Sequence, residues 1–295
     1  MLTQTPPGFP LTLHNKPYPG TSPTRPEVSQ TGRTALVCGA STGIGRAIAR
    51  NFCAAKAARV IITARRPDVL ASTVKELAAA HPDTEVIGKV SDVLDLKAAA
   101  SLWDGLHAEG TNVDVLVWNA VGHPELKPLI EQGSERLWQD FENNLHCPLY
   151  FVNRFYHQPN HNSQKHFLFV STQDIHNWGS APQMPGYQLV KSACTATMQQ
   201  IARDIPAEDM QMLSFHPSTV FTEAAKMAGY DENTLPWVDE NVPGQFAVWA
   251  ASSEAKFLHG RFVWATWDVN ELTSGDIRKK IDEDPWFLKV GVKGL

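Results

Sequence analysis

Residues 34 to 56 read TALVCGASTGIGRAIARNFCAAK, and two periodicities meet there across a glycine-rich turn. Thr34 to Cys38 is a short apolar run, the pattern of a strand covered on both faces. Gly39, Gly43 and Gly45 follow, while Ile44, Ala47, Ile48 and Phe52 recur at three- and four-residue steps. That spacing predicts a helix over 43–56 with one apolar face turned to a sheet. Strand, tight turn and helix in this order form the first half of a parallel crossover unit, so the stretch predicts an α/β protein.

The alternation continues outward. Strands are predicted at 34–38, 59–63 (RVIIT), 85–90 (EVIGKV), 113–118 (VDVLVW), 166–171 (HFLFVS), 210–215 (MQMLSF) and 260–265 (GRFVWA). Helices are predicted near 43–56, 67–81, 95–109, 134–157, 187–205 and 243–252. The sum is a single doubly wound domain with a mainly parallel seven-stranded sheet, and 295 residues at 43% hydrophobic suffice for its core. Residues 221–242 (FTEAAKMAGYDENTLPWVDENV) break the pattern with Gly, Pro and acids. Ligands of open parallel sheets lie beyond the carboxyl ends of the strands, which makes this insert a candidate substrate loop; the alternative is a plain surface connection.

Residues 1–32 carry Pro6, Pro7, Pro10, Pro17, Pro19, Pro23 and Pro26, and a segment so rich in proline cannot continue a helix or sit in a central strand. They read as an N-terminal arm, laid over the 33–295 domain or left loose. A net charge of -5 from 26 basic and 31 acidic side chains leaves no basic footprint for nucleic acid or a membrane surface. Cys38, Cys53, Cys147 and Cys194 lack CxxC spacing, which argues against a zinc site or disulfide framework and fits a reducing, cytoplasmic location. No apolar run reaches the roughly 20 residues of a membrane helix, and the N-terminus has no signal-peptide core. The expected partner is a small molecule.

The glycine turn has a chemical reading. Residues without Cβ let backbone approach a pyrophosphate closely, and the following helix N-terminus offers free amide donors. At the end of the second strand stands IITARRPD, where an enzyme using NAD places a carboxylate against the ribose 2′-hydroxyl. Here Ala64 takes that place and Arg65 and Arg66 follow, a pair suited to a 2′-phosphate, so NADP(H) is favoured over NAD(H). The plainer reading is a solvated basic pair at a helix start.

In PGYQLVKSA, residues 185 to 193, Tyr187 and Lys191 stand four apart and share one helix face. A nearby ammonium favours a phenolate, which turns an inert phenol into a proton-transfer group. The spacing alone is common. GASTGIG (39–45), VSDVLD (90–95), WNAVG (118–122) and YQLVK (187–191) occur here in one order, and together they resemble the short-chain dehydrogenase/reductase family over about 33 to 270. The arm ending in TRPE and the late stretch FLHGRFVWATWDVNEL are similar to fungal members.

The resemblance implies a Rossmann-type fold and assigns roles. Tyr187 becomes the general acid, Lys191 the group that binds the nicotinamide ribose and depresses the tyrosine, and Asn144 the holder of a proton-relay water, with Asn143 as the adjacent register. Thr172 takes the place of the second serine that hydrogen-bonds the substrate oxygen; Ser171 serves instead if the strand end is shifted by one. Gly39, Ser41, Thr42, Gly43, Ile44 and Gly45 hold the pyrophosphate side, Asp92 and Val93 the adenine, and Asn119, Ala120, Val220 and Thr222 the remaining cofactor. For Asp92 the plain alternative is a helix cap. Departures are Thr172, Ser218 where the family carries glycine after the sixth strand, and Trp118 for the first asparagine of its segment. His176, Trp178, Tyr230 and Trp237 lie in segments the family uses for substrate, although aromatics there more often pack a loop.

The expected function is an NADPH-dependent carbonyl reductase or alcohol dehydrogenase acting on a hydrophobic secondary metabolite, as a homodimer or homotetramer through the helices near 134–157 and 187–205. Alternatives are a non-redox cyclase, isomerase or epimerase on the same scaffold, and a nucleotide-sensing regulatory protein without turnover.

Overall fold

A computed structural model describes residues 11–122, 125–159, 163–179, 183–227 and 229–292. Seven strands, β1 (Thr34–Cys38), β2 (Arg59–Ala64), β3 (Glu85–Val90), β4 (Val115–Trp118), β5 (Lys165–Val170), β6 (Met210–His216) and β7 (Arg261–Trp264), form one sheet in the order β3-β2-β1-β4-β5-β6-β7. Every pairing is parallel, so the sheet is wholly rather than mainly so. The chain reverses direction between β1 and β4, and the crevice beyond their carboxyl ends is where such sheets take ligands.

Successive strand residues point to opposite faces, and this splits the core into two layers. Val37, Ile62, Val117 and Phe215 face α1 (Gly43–Ala54), α2 (Pro67–Ala80) and a later helix at Asn241–Ala250. Leu36, Cys38, Leu116 and Phe167 face α3 (Leu96–Ala108) and two later helices, Cys147–Tyr156 and Pro185–Asp204. Between α3 and the second of these come α4 (Leu129–Gln132), α5 (Ser134–Phe141) and α6 (Cys147–Tyr156). The remaining helices are α7 (Pro185–Asp204), α8 (Glu223–Met227), α9 (Asn241–Ala250), α10 (Val269–Leu272) and α11 (Gly275–Glu283).

The helix expected over 134–157 is interrupted: residues Glu142–His146 widen into a π turn between α5 and α6. A π turn inserts a residue into the ladder and re-aims the side chains on it. Residues 221–242 contain the short α8, and α10 and α11 follow β7, none of them visible as a long apolar period. Trp118 is a core residue, its indole edge-on to Phe151 at 4.9 Å between the sheet and α6.

From Leu11 the arm lies over the domain. Leu13 makes an antiparallel bridge with Trp267, the Asp268 N–H donates to Thr12 O (3.0 Å), and the His14 N–H to Thr266 O (2.7 Å). Arg25 forks onto both carboxylate oxygens of Glu254, at 3.0 and 2.6 Å, a bidentate geometry that fixes orientation as well as distance. At the other end of the chain the Phe262 N–H donates to Leu288 O, which caps the free edge of β7.

Candidate active site

The glycine turn is shaped for close backbone approach. Gly39 and Gly43 adopt φ of +74° and +55°, and a Cβ on Gly45 would stand 2.2 Å from Gly39 O. The N–H groups of Gly39 and Ala40 donate to Thr63 O at the end of β2, and Asn119 Nδ2 donates to Gly39 O at 2.8 Å from the end of β4. Thr42, at the N-cap of α1, makes no side-chain cap bond, which leaves the first amides of that helix free of it. Positive-φ glycines before an uncapped helix N-terminus are a fit for a dinucleotide pyrophosphate.

Around that turn the other expected cofactor residues gather. Arg65 and Arg66 are exposed beyond β2, and Arg65 Nη1 lies 4.0 Å from Asp92 Oδ2. Asp92 Oδ1 accepts the Leu94 N–H at 3.1 Å, whereas Asp95 caps α3 by accepting from Ala98, so Asp92 is not the helix cap. Val93 and Val220 are buried. Thr222 caps α8 through its Oγ1, and its Cγ2 lies 3.1 Å from where a Cβ on Gly43 would sit, so the β1 and β6 loops meet across the turn. Ser41 and Ile44 are partly open on the same turn. Sequence reasoning missed Thr73, whose hydroxyl reaches from α2 to Ser41 O at 2.9 Å.

Beyond β5 the sheet end brings Ser171, Thr172, Tyr187 and Lys191 together. Ser171 Oγ and Thr195 Oγ1 are 2.7 Å apart, and Thr195 spends its only proton on Lys191 O at 2.8 Å, so Ser171 is the donor. Ser171 thereby faces the body of α7. The Thr172 hydroxyl donates to Asp174 Oδ2 at 2.9 Å and lies near enough to the Tyr187 phenol to pull its pKa down. The two neighbours point apart as strand geometry requires.

Lys191 Nζ donates to Val170 O at 2.8 Å and stands 4.8 Å from the Phe169 ring centre and 5.9 Å from that of Tyr187. Burial lowers its pKa to about 8. The tyrosine runs against the expectation that Lys191 depresses it. Desolvation and then the Asp174 carboxylate hold the phenol well above its ordinary value, and the opposing pull comes from the Thr172 hydrogen bond. Asp174, two residues beyond Thr172 and 6% exposed, is the second residue that sequence reasoning missed; its signal was an acid within reach of a proposed catalytic hydroxyl.

Asn144 sits in the π turn. Its Nδ2 donates to Asp140 O (2.9 Å) and its Oδ1 accepts the Gly122 N–H (3.1 Å), which joins α5 to the loop after β4; Asn143 bonds Gln139 on the surface instead. Ser218 takes φ of +71° while buried, so the backbone keeps the left-handed turn that glycine adopts freely. Trp264 Nε1 donates to His176 Nε2 at 3.2 Å, and Trp178 is 74% exposed. In the loop after β6, the Trp237 ring lies 5.1 Å from Phe221 and 6.1 Å from Tyr230.

A family model described as short chain dehydrogenase matches residues 33–233. A short chain dehydrogenase/reductase of Aspergillus aculeatus, AacuD, is 31% identical over 89% of both chains, and another from Claviceps purpurea is 31% identical over 91% of this chain and 89% of its own. Among solved structures, L-sorbose reductase of Gluconobacter frateurii, complexed with NADPH and L-sorbose, superposes with a TM-score of 0.71 at 17% identity, covering 81% of this chain and 96% of that one. YwfH, an NADPH dependent reductase involved in bacilysin biosynthesis, gives 0.72 at 19% identity over 80% of this chain and 98% of its own. The chain belongs to the short-chain dehydrogenase/reductase family and is an oxidoreductase of Rossmann-type fold. Among the described residues no helix is long and apolar enough to cross a membrane.

Proposed function

We propose that the protein is an NADPH-dependent carbonyl reductase, running in reverse as an alcohol dehydrogenase. The observation that carries this reading is the convergence of Tyr187, Thr172 and Lys191 beyond β5, on the ligand-binding edge of the sheet that also holds the glycine turn. Bound NADPH supplies the hydride. Gly39, Gly43, Gly45 and the α1 amides hold the pyrophosphate, Arg65 and Arg66 the 2′-phosphate, Asp92 and Val93 the adenine, and Asn119, Ala120, Val220 and Thr222 the rest. Tyr187 gives its proton to the carbonyl oxygen, Lys191 holds the nicotinamide ribose, and Asn144 supports proton resupply. The NADPH bound in the L-sorbose reductase structure and the NADPH dependence of YwfH support the cofactor choice.

The substrate class is a hydrophobic ketone bearing a ring. Phe221, Tyr230 and Trp237 form an aromatic cluster in the 221–242 loop, and flat apolar rings suit such a wall. The chain divides into an N-terminal arm, 1–32, and a catalytic domain, 33–295, on which the arm packs from Leu11 onward, and the protein works in the cytoplasm. A homodimer or homotetramer is supported by the exposed Trp138 on α5, Leu149 on α6 and Leu189 on α7.

The test is fluorescence titration with NADPH and NADH, followed by reduced-nicotinamide absorbance with a panel of aromatic ketones. Tight NADPH binding with ketone-dependent loss of absorbance is the expected result. Product formed at constant absorbance would instead identify a non-redox cyclase, isomerase or epimerase.

A further inference from the structure

Four consecutive residues close the 221–242 loop, and polar contacts tie them to three separate parts of the chain. The Val238 N–H donates to Thr219 O after β6 (2.8 Å), and the Asp239 N–H donates to Asn15 O of the arm (3.0 Å). Arg50, on α1, donates from Nη2 to Glu240 Oε1 and to Asn241 Oδ1, both at 2.8 Å. Asn51 Nδ2 adds a bond to Asn241 Oδ1 at 3.2 Å.

The outgoing leg of the loop rests on the same helix, since the Thr222 methyl lies against Gly43. Gly43 and Arg50 are seven residues apart, which places them on one face of α1 and about 10 Å apart along its axis. The loop therefore has both legs on the helix that begins at the glycine turn. A recess of about 470 Å³ opens between the return leg and α1, lined by Arg50, Val220, Phe221 and residues 238–241. Across that recess the polar ties, rather than core packing, set where the leg stands.

Helix packing does not account for Arg50. α1 and α9 already cross closely, because a Cβ on Gly244 would stand 2.8 Å from Ala47 O. Arg50 and Glu240 are both partly exposed, so their pairing adds little to stability. What the pairing fixes is position. Trp237 directly precedes the tied residues, and Phe221, its ring partner at 5.1 Å, directly precedes Thr222. The ties thus act at both ends of the aromatic cluster.

Resting on the reductase reading, we propose that Arg50 is a positioning residue that sets the aromatic wall of the substrate loop against the cofactor helix, and so governs affinity for a ring-bearing ketone. Hydride and proton transfer lie outside its reach.

The experiment compares wild type with Arg50→Met, Glu240→Ala and the double variant. Each is assayed with the most active ketone of the aromatic panel at saturating NADPH. Exposure of the Trp237 indole is followed without nucleotide by acrylamide quenching, as the difference between each protein and its Trp237→Phe counterpart. Arg50→Met is expected to raise KM for the ketone about fivefold, with kcat and NADPH affinity within about twofold of wild type. Quenching of Trp237 should rise with it. Glu240→Ala should move KM and quenching in the same direction, and the double variant should be no worse than Arg50→Met, since both changes break one contact. Should Arg50→Met not fold, Glu240→Ala gives the same reading. Unmoved Trp237 quenching overturns the proposal even if Tm falls, and so does a loss confined to kcat or NADPH affinity. The quenching needs no ketone: a wild type that reduces none overturns the reductase reading, while a working reductase with unmoved KM and quenching overturns Arg50 alone.

Discussion

Asn119 Nδ2 donates to the carbonyl of Gly39 across 2.8 Å, and a Cβ on Gly45 would fall 2.7 Å from that same amide nitrogen. The backbone of the turn after β1, the start of α1 and the Asn119 side chain after β4 therefore meet with no room for a methyl group.

Gly45→Ala should abolish cofactor binding and lower Tm, since backbone at 2.2 Å cannot move aside cheaply. Gly105→Ala is the control. Gly105 lies in α3 with nothing within 4 Å of an added Cβ, and the change should stabilise the fold by about 0.5–1 kcal/mol through helix propensity. Thermal unfolding and NADPH titration of the two variants check both statements.

Tyr187→Phe should cut ketone reduction by about 10²–10⁴-fold while NADPH affinity stays close to wild type, because only the proton donor is lost. Turnover retained at wild-type level would remove Tyr187 from the chemistry.

Arg65→Ala should weaken NADPH by roughly 10- to 100-fold, as for loss of one charge-assisted hydrogen bond of about 1.5–3 kcal/mol, with little change for NADH. Equal loss for both nucleotides would refute the 2′-phosphate contact. Arg65 now lies 4.0 Å from Asp92, within easy swing of a phosphate beyond β2.

Ser218→Gly tests the strained turn. A serine at φ +71° gives up roughly 1 kcal/mol that glycine does not, and the variant should raise Tm unless the added unfolded-state freedom of glycine offsets the gain. Ser218→Ala, which keeps the Cβ, should show no rise.

Acid should destabilise the protein through two buried histidines. Burial, then the charge of Arg33, lowers His166 to about 3; burial, then His176, lowers His216 to about 3. Both stay neutral in the fold while the unfolded chain takes up protons near pH 6.5, so stability is full above that value and falls as pH drops from there toward 3. Urea unfolding across that window checks it, and His166→Gln should flatten the slope.

The local features of this chain were legible because their causes are local. Glycines at 39, 43 and 45 need only their own backbone angles to announce a turn, and the apolar steps from Ile44 to Phe52 need only helical period. Tyr187 and Lys191 share a face by helix geometry alone. The sequence by itself thus determined the sheet, its ligand edge and the family.

Tertiary structure decided what depends on distant segments meeting. Asn144 was legible as a residue, but its bond to the Gly122 N–H required a π turn to lie against the β4 loop. Thr73 carries no motif; only the packing of α2 brings it to Ser41. The Tyr187 phenol is set by burial and by Asp174, on a different element, and desolvation has no signature in a string of letters. Periodicity fixes which way a side chain faces along its own element, while charge and solvent access at a site are sums over every element that closes around it.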